Sequence, residues 1–80
     1  MADNHPTPDI TIDARGLACP LPVLKLKKVL AGQPRGAVVA LLATDRTALR
    51  DVPAFCRGTG HELLASTQDQ GVLRFIVRTA

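Results

Sequence analysis

At 80 residues the chain has room for one domain with a small core, since a chain near this size buries only about 60% of the surface it exposes when unfolded. Apolar residues make up 46% of the chain, which is ample for a globule and sets disorder aside everywhere but the ends. Ten Lys and Arg against seven Asp and Glu leave a mild net charge of +3, and two Phe with no Tyr or Trp offer no platform for stacking bases, so direct nucleic-acid recognition is not expected.

Residues 1–8 are polar and hold two prolines, and read as a loose arm ahead of a single domain over residues 9–80. The arm has neither the basic stretch nor the apolar stretch of a signal peptide. No run approaches the ~20 apolar residues of a membrane span, so no membrane partner is expected. A cytoplasmic location is the default expectation, and there Cys19 and Cys56 are reduced thiols rather than a structural disulfide.

Asp9-Ile10-Thr11-Ile12-Asp13 alternates polar and apolar side chains, the pattern of a half-buried strand with Ile10 and Ile12 inward. Ala14 to Ala18 then forms a loop in which Gly16 supplies backbone angles that other residues avoid. Pro20 and Pro22 suit the first turn of a helix, where a missing N–H costs nothing. They place a helix over residues 20–31 and make Cys19 its N-cap or the residue beside it. Pro22, Val23, Leu26, Val29 and Leu30 share one side of that helix, with Lys25 and Lys28 opposite, Lys27 flanking the stripe and Leu24 outside it. Gly32 and Pro34 end it.

Ala37 to Ala43 is an unbroken apolar run, suited to a strand central in a sheet or covered on both sides. With the preceding strand and helix it makes a βαβ unit, whose strands are parallel. Ala48, Leu49, Val52, Phe55 and Cys56 give a second helical stripe, interrupted by Pro53. Either the helix begins near Asp45 and kinks, or a short turn over 46–50 precedes a helix from an Asp51 N-cap to about Arg57. The second is preferred because it avoids the ~3 kcal/mol penalty of an interior proline. His61–Thr67 and Val72–Arg78 read as strands joined by a turn over 68–71. The order βαβαββ predicts an α/β fold: a two-layer α/β sandwich in which two helices pack on one face of a four-stranded mixed sheet.

Cys19 is the foremost candidate for chemistry. At the start of a helix its sulfur would face first-turn amides and the positive end of the helix dipole, which favour a nucleophilic thiolate. A small buried core residue is the other reading of the same cysteine. Gly16, Pro20 and Pro22 are positioning residues that aim Cys19, and Cys56 sits on the apolar stripe as inert packing. Lys25, Lys27 and Lys28 read either as a solvated helix face or as a docking surface for an acidic partner. Arg15, in the loop ahead of Cys19, is a candidate for thiolate stabilisation and docking. Asp45 and Asp51 read as turn and capping carboxylates. The two Cys and two His, with His5 on the arm and His61 at a strand start, lack zinc-ligand spacing, so no metal is expected, and nothing calls for a cofactor.

Cys19-Pro20-Leu21-Pro22, preceded by Asp13-Ala14-Arg15-Gly16-Leu17, resembles the CPxP motif of the TusA/SirA-like sulfur carriers. A second block at Thr44-Asp45, Asp51-Val52-Pro53-Ala54-Phe55-Cys56 and Gly60-His61-Glu62-Leu63 resembles the same family, and the likeness spans residues 9 to 78. It implies the same architecture and a sulfur-transfer protein that carries sulfur as a persulfide on Cys19. The implied donor is a cysteine desulfurase or a rhodanese-type protein, and the implied recipient is a downstream sulfur-acceptor protein. In the family the destinations include tRNA thiolation, molybdenum-cofactor biosynthesis and sulfur oxidation. Many members carry a basic residue just before the cysteine, whereas this chain has Ala18. The alternatives are a regulatory protein-interaction module that uses the same surface without sulfur relay, and a redox sensor pairing Cys19 with Cys56.

Overall fold

The computed structural model describes residues 7–80. Most of the arm expected over residues 1–8 therefore lies outside the described residues. Six elements follow in the order β1 (Ile10–Ala14), α1 (Leu21–Ala31), β2 (Val38–Ala43), α2 (Ala48–Thr59), β3 (Glu62–Asp69) and β4 (Val72–Arg78). This is the expected βαβαββ arrangement. The sheet order is β1-β2-β4-β3, with β1 parallel to β2 and the other neighbours antiparallel.

β2 and β4 are the middle strands, which accounts for the unbroken apolar run of the former. Alternate residues of the strands (Ile12 and Ala14, Val39 and Leu41, Leu73, Phe75 and Val77) meet Leu26 and Leu30 of α1 and Val52 and Cys56 of α2 in the main core. Val38, Ala40 and Ile76, on the other face, form a smaller cluster flanked by Leu64 and Ala65. Beside it the exposed Glu62 carboxylate pairs with the Arg78 guanidinium across β3 and β4. Thr79 is the one buried polar residue among those described. Its hydroxyl donates to the Pro34 carbonyl at 2.6 Å and accepts the Ala37 amide at 3.0 Å, pinning the α1–β2 connection to the chain's last strand.

Helix α1 buries Pro22, Leu26 and Leu30 and leaves Leu24 exposed, as its periodicity predicts. Helix α2 departs from expectation. It starts at Ala48, three residues before Asp51, so Asp51 is not its N-cap and Pro53 lies inside it. The entry winds tightly: the amides of Ala48, Leu49 and Arg50 reach carbonyls three residues back, and only Asp51 makes the first four-residue step, to Thr47 at 2.9 Å. Burial of Ala48, Val52 and Cys56 on one face decides the matter, because a helix begun at Asp51 would have left Ala48 outside the stripe. The helix also runs two residues past Arg57, to Thr59, and stops where Gly60 takes φ +85° and returns its amide to the Cys56 carbonyl. The last hairpin is tighter than expected, since Gln70 and Gly71, both with positive φ, are its two turn residues in the manner of a type I′ turn.

Candidate functional site

Two parallel strands side by side deliver the loops at their C-terminal ends to the same edge of a sheet, the customary place for a site in α/β folds. Here β1 and β2 run in register from Ile10–Val39 to Ala14–Ala43. The loop after β1 carries Cys19 and the loop after β2 carries Asp45. A turn leads out of β1, with the Leu17 amide donating to the Ala14 carbonyl at 3.2 Å and Gly16 at φ +81°. A side chain at position 16 would meet nothing within 4 Å, so the backbone angle alone calls for glycine there. The Gly16 amide then donates to the Thr44 hydroxyl at 2.9 Å, tying the first loop to the second.

Cys19 sits between that loop and α1. Pro20 is the N-cap of the helix, Pro22 its second residue, and the Cys19–Pro20 peptide bond is cis. The Cys19 amide donates to Oδ2 of Asp45 at 2.7 Å, and its exposed thiol donates to Oδ2 of Asp51 at 2.9 Å. Oδ1 of Asp51 accepts from the Arg50 guanidinium at 3.0 Å. Oδ1 of Asp45 accepts both the amide and the hydroxyl of Thr47, at 2.9 and 2.8 Å. Pro22, Val23, Thr47 and Ala48 wall a shallow notch beside the sulfur, too slight to enclose a small-molecule substrate.

This geometry reverses the expected ease of ionisation. The hydrogen bond to Asp51 pushes the Cys19 thiol above its ordinary value, with the charges of Asp51 and Asp45 adding to the effect and the Thr47 hydroxyl opposing it. The same contact, and after it Arg50, holds the Asp51 carboxyl below its ordinary value. The helix terminus fails to compensate for a local reason. Proline has no N–H, so the residues that mark the helix start also remove two of the donors that would have faced the sulfur. Of the others, Leu21 donates to the Ala18 carbonyl, which leaves the Val23 amide as a single first-turn donor.

Arg15 does not supply the missing cation either. Its guanidinium grips Asp13 through both carboxylate oxygens at 2.9 Å, which draws the Asp13 carboxyl down to about 2. Lys25, Lys27 and Lys28 are all exposed on α1. Cys56 is buried in the main core, and burial pushes its thiol up. Asp45, Thr47 and Asp51, which surround Cys19, are the residues that sequence reasoning assigned only to turns and caps or passed over. Their signal was present in the parallel β1–β2 pair, which sets the second βα loop against the first.

Among the described residues no helix is long and apolar enough to cross a membrane, and no three His, Cys, Asp or Glu side chains gather as a metal site would need. Residues 10–79 match the family model described as sulfurtransferase TusA. Two proteins of Neisseria meningitidis, from serogroups A and B, are each 48% identical over 68 residues, which is 85% of this chain and 92% of theirs; both are named "putative sulfur carrier protein". The crystal structure of a SirA-like protein from Desulfitobacterium hafniense superposes with a TM-score of 0.77 at 32% identity, covering 86% of this chain and 95% of that one. A likeness that takes in both βα loops and the whole sheet leaves one assignment: this chain belongs to the TusA sulfurtransferase family of sulfur carriers.

Proposed function

We propose that residues 9–80 act as a sulfur-carrier domain in which Cys19 takes a sulfur atom from a donor protein, holds it as a persulfide and yields it to an acceptor protein. The observation that carries this reading is an exposed, free thiol at the meeting point of the two βα loops in a chain of this family. The notch beside it is too slight to enclose a small-molecule substrate, which supports sulfur exchange with groups that other proteins present. A cysteine desulfurase or a rhodanese-type protein fits as donor, and the acceptor belongs to tRNA thiolation, cofactor biosynthesis or sulfur oxidation. The setting is cytoplasmic, where thiols stay reduced.

Leu21 and Leu24 are about half exposed at the start of α1, beside Lys25 and Lys28. An apolar patch with a basic margin suits docking to an acidic partner, with charge acting chiefly on association rate. Gly16, Pro20 and Pro22 aim the thiol from within the loop and first turn, and the exposed Arg15 and Lys27 are further candidates for partner docking.

Incubation with a desulfurase and cysteine is expected to add one sulfur atom to the intact protein, and peptide mapping to locate it on Cys19. Absence of an adduct on folded protein across several competent donors would argue against the carrier reading. The same exposed leucines also favour a second reading, a regulatory interaction module without sulfur relay. Full complementation in cells by Cys19→Ser would favour that module, since a hydroxyl cannot form a persulfide.

A further inference from the structure

Hydrogen-bond geometry makes the Cys19 sulfur a donor, with Asp51 Oδ2 as acceptor at 2.9 Å, and Arg50 holds the other Asp51 oxygen at 3.0 Å so that the carboxylate stays in place. The charged groups that act on this thiol are Asp51 from α2 and Asp45 from the loop before it, and both are negative. The nearest candidate cation on the first loop, Arg15, is occupied by Asp13. A persulfide differs from a thiol in two respects that bear on this arrangement. Its inner sulfur has no hydrogen to donate, and its outer S–H is the stronger acid, so the loaded group is an anion at neutral pH. Loading Cys19 therefore forfeits the hydrogen bond to Asp51 and sets a negative charge close to two carboxylates.

We propose that Asp51 is a release residue: it stabilises the discharged thiol against the loaded persulfide, so that Cys19 holds sulfur loosely and gives it up readily. This rests on the carrier reading above. In the loading step the Cys19 sulfur attacks the outer sulfur of a donor persulfide R–S–S⁻. A new S–S bond forms at Cys19 and the donor's S–S bond breaks. The hydrogen leaving Cys19 by way of Asp51 ends on the departing donor sulfur. Cys19–SH and R–S–S⁻ thus become Cys19–S–S⁻ and R–SH, with one sulfur atom moved and no external oxidant or reductant. Asp51 favours the left side of this exchange, and discharge to an acceptor reverses it with the same bias in its favour.

The test equilibrates the full chain with a fixed ratio of glutathione persulfide to glutathione and reads the loaded fraction at Cys19 by mass, alongside the pH dependence of Cys19 alkylation. Asp51→Asn is expected to raise the ratio of loaded to free Cys19 about tenfold, the lower end of what a hydrogen bond to a charged group contributes. It should also move the alkylation midpoint to lower pH. Asp51→Glu keeps the negative charge beside the sulfur and is expected to stay close to wild type in both. Melting temperatures report on the fold, and Asp51→Ser carries the same test if Asn perturbs it. Sulfur loading to the same extent in wild type and Asp51→Asn, or an unmoved alkylation midpoint, would overturn the proposal and leave the carrier reading standing. No sulfur on Cys19 in any variant would overturn the carrier reading and the proposal with it.

Discussion

The Asp45 carboxylate accepts from the Cys19 amide, the Thr47 amide and the Thr47 hydroxyl, and so clamps the cysteine loop to the entry of α2. These bonds favour its charged form, and the Asp45 carboxyl lies below its ordinary value in the folded protein, chiefly because of the Thr47 amide and then the Cys19 amide. The folded carboxylate therefore gives up its charge at lower pH than the unfolded one. What the clamp contributes is fully present above the ordinary carboxylate range and is lost as pH falls through the folded value. We expect the Cys19 and Thr47 amide NMR signals to titrate together, at lower pH than an ordinary aspartate. In Asp45→Asn both amides should exchange with solvent faster at neutral pH, and unchanged exchange would show that the loop is held by something else. Legibility at this level was uneven. Cys19 stood out because cysteine between a glycine loop and two prolines is a distinctive local pattern. Asp51 did not, because its role depends on a contact 32 positions away in the chain, which no local pattern contains.

The two helices share one principle, burial of a stripe, and differ in what opposes it. Leu26 is fully buried at the centre of the α1 stripe, so Leu26→Ala is expected to lower unfolding free energy by about 2–5 kcal/mol in urea titrations. Because α1 begins just after Cys19, the same variant should also blunt sulfur loading by loosening the helix start. Pro53 in α2 shows where propensity misleads. The interior-proline penalty argued for a late helix start, yet the apolar side chains of Ala48 and Val52 draw the helix over it. Replacing the proline restores an N–H for the Leu49 carbonyl and frees the unfolded chain slightly. On balance Pro53→Ala should stabilise by about 1–2 kcal/mol, read as a higher urea midpoint at unchanged slope. A loss of stability would mean that ring packing outweighs the missing bond. The α1 boundaries were readable because both ends carry punctuating residues; those of α2 were set by tertiary packing.

The sheet sets a hierarchy of rigidity. Val39 and Leu41 of β2 and Phe75 and Val77 of β4 are wholly buried, whereas β3 from Ser66 to Asp69 is exposed at an edge. Amide exchange is expected to be slowest along β2 and β4 and fast at the far end of β3, as measured by native-state hydrogen exchange. Equal protection across the four strands would contradict this picture. The architecture itself was open to sequence reasoning, since periodicity switched cleanly between strand and helix and a βαβ unit has one common handedness. The strand order was not, because placing β4 between β2 and β3 depends on which hairpin strand finds the longer apolar neighbour.

Parallel pairing of β1 with β2 has a consequence for portability. The acidity of the thiol belongs to a junction between two segments, neither of which owns it. A peptide excised around Cys-Pro-Leu-Pro would keep the thiol and lose both carboxylates, and so behave as an unremarkable mercaptan. Grafting this setting onto another scaffold would require transplanting the neighbouring strand, its loop and the first turn of α2 as well.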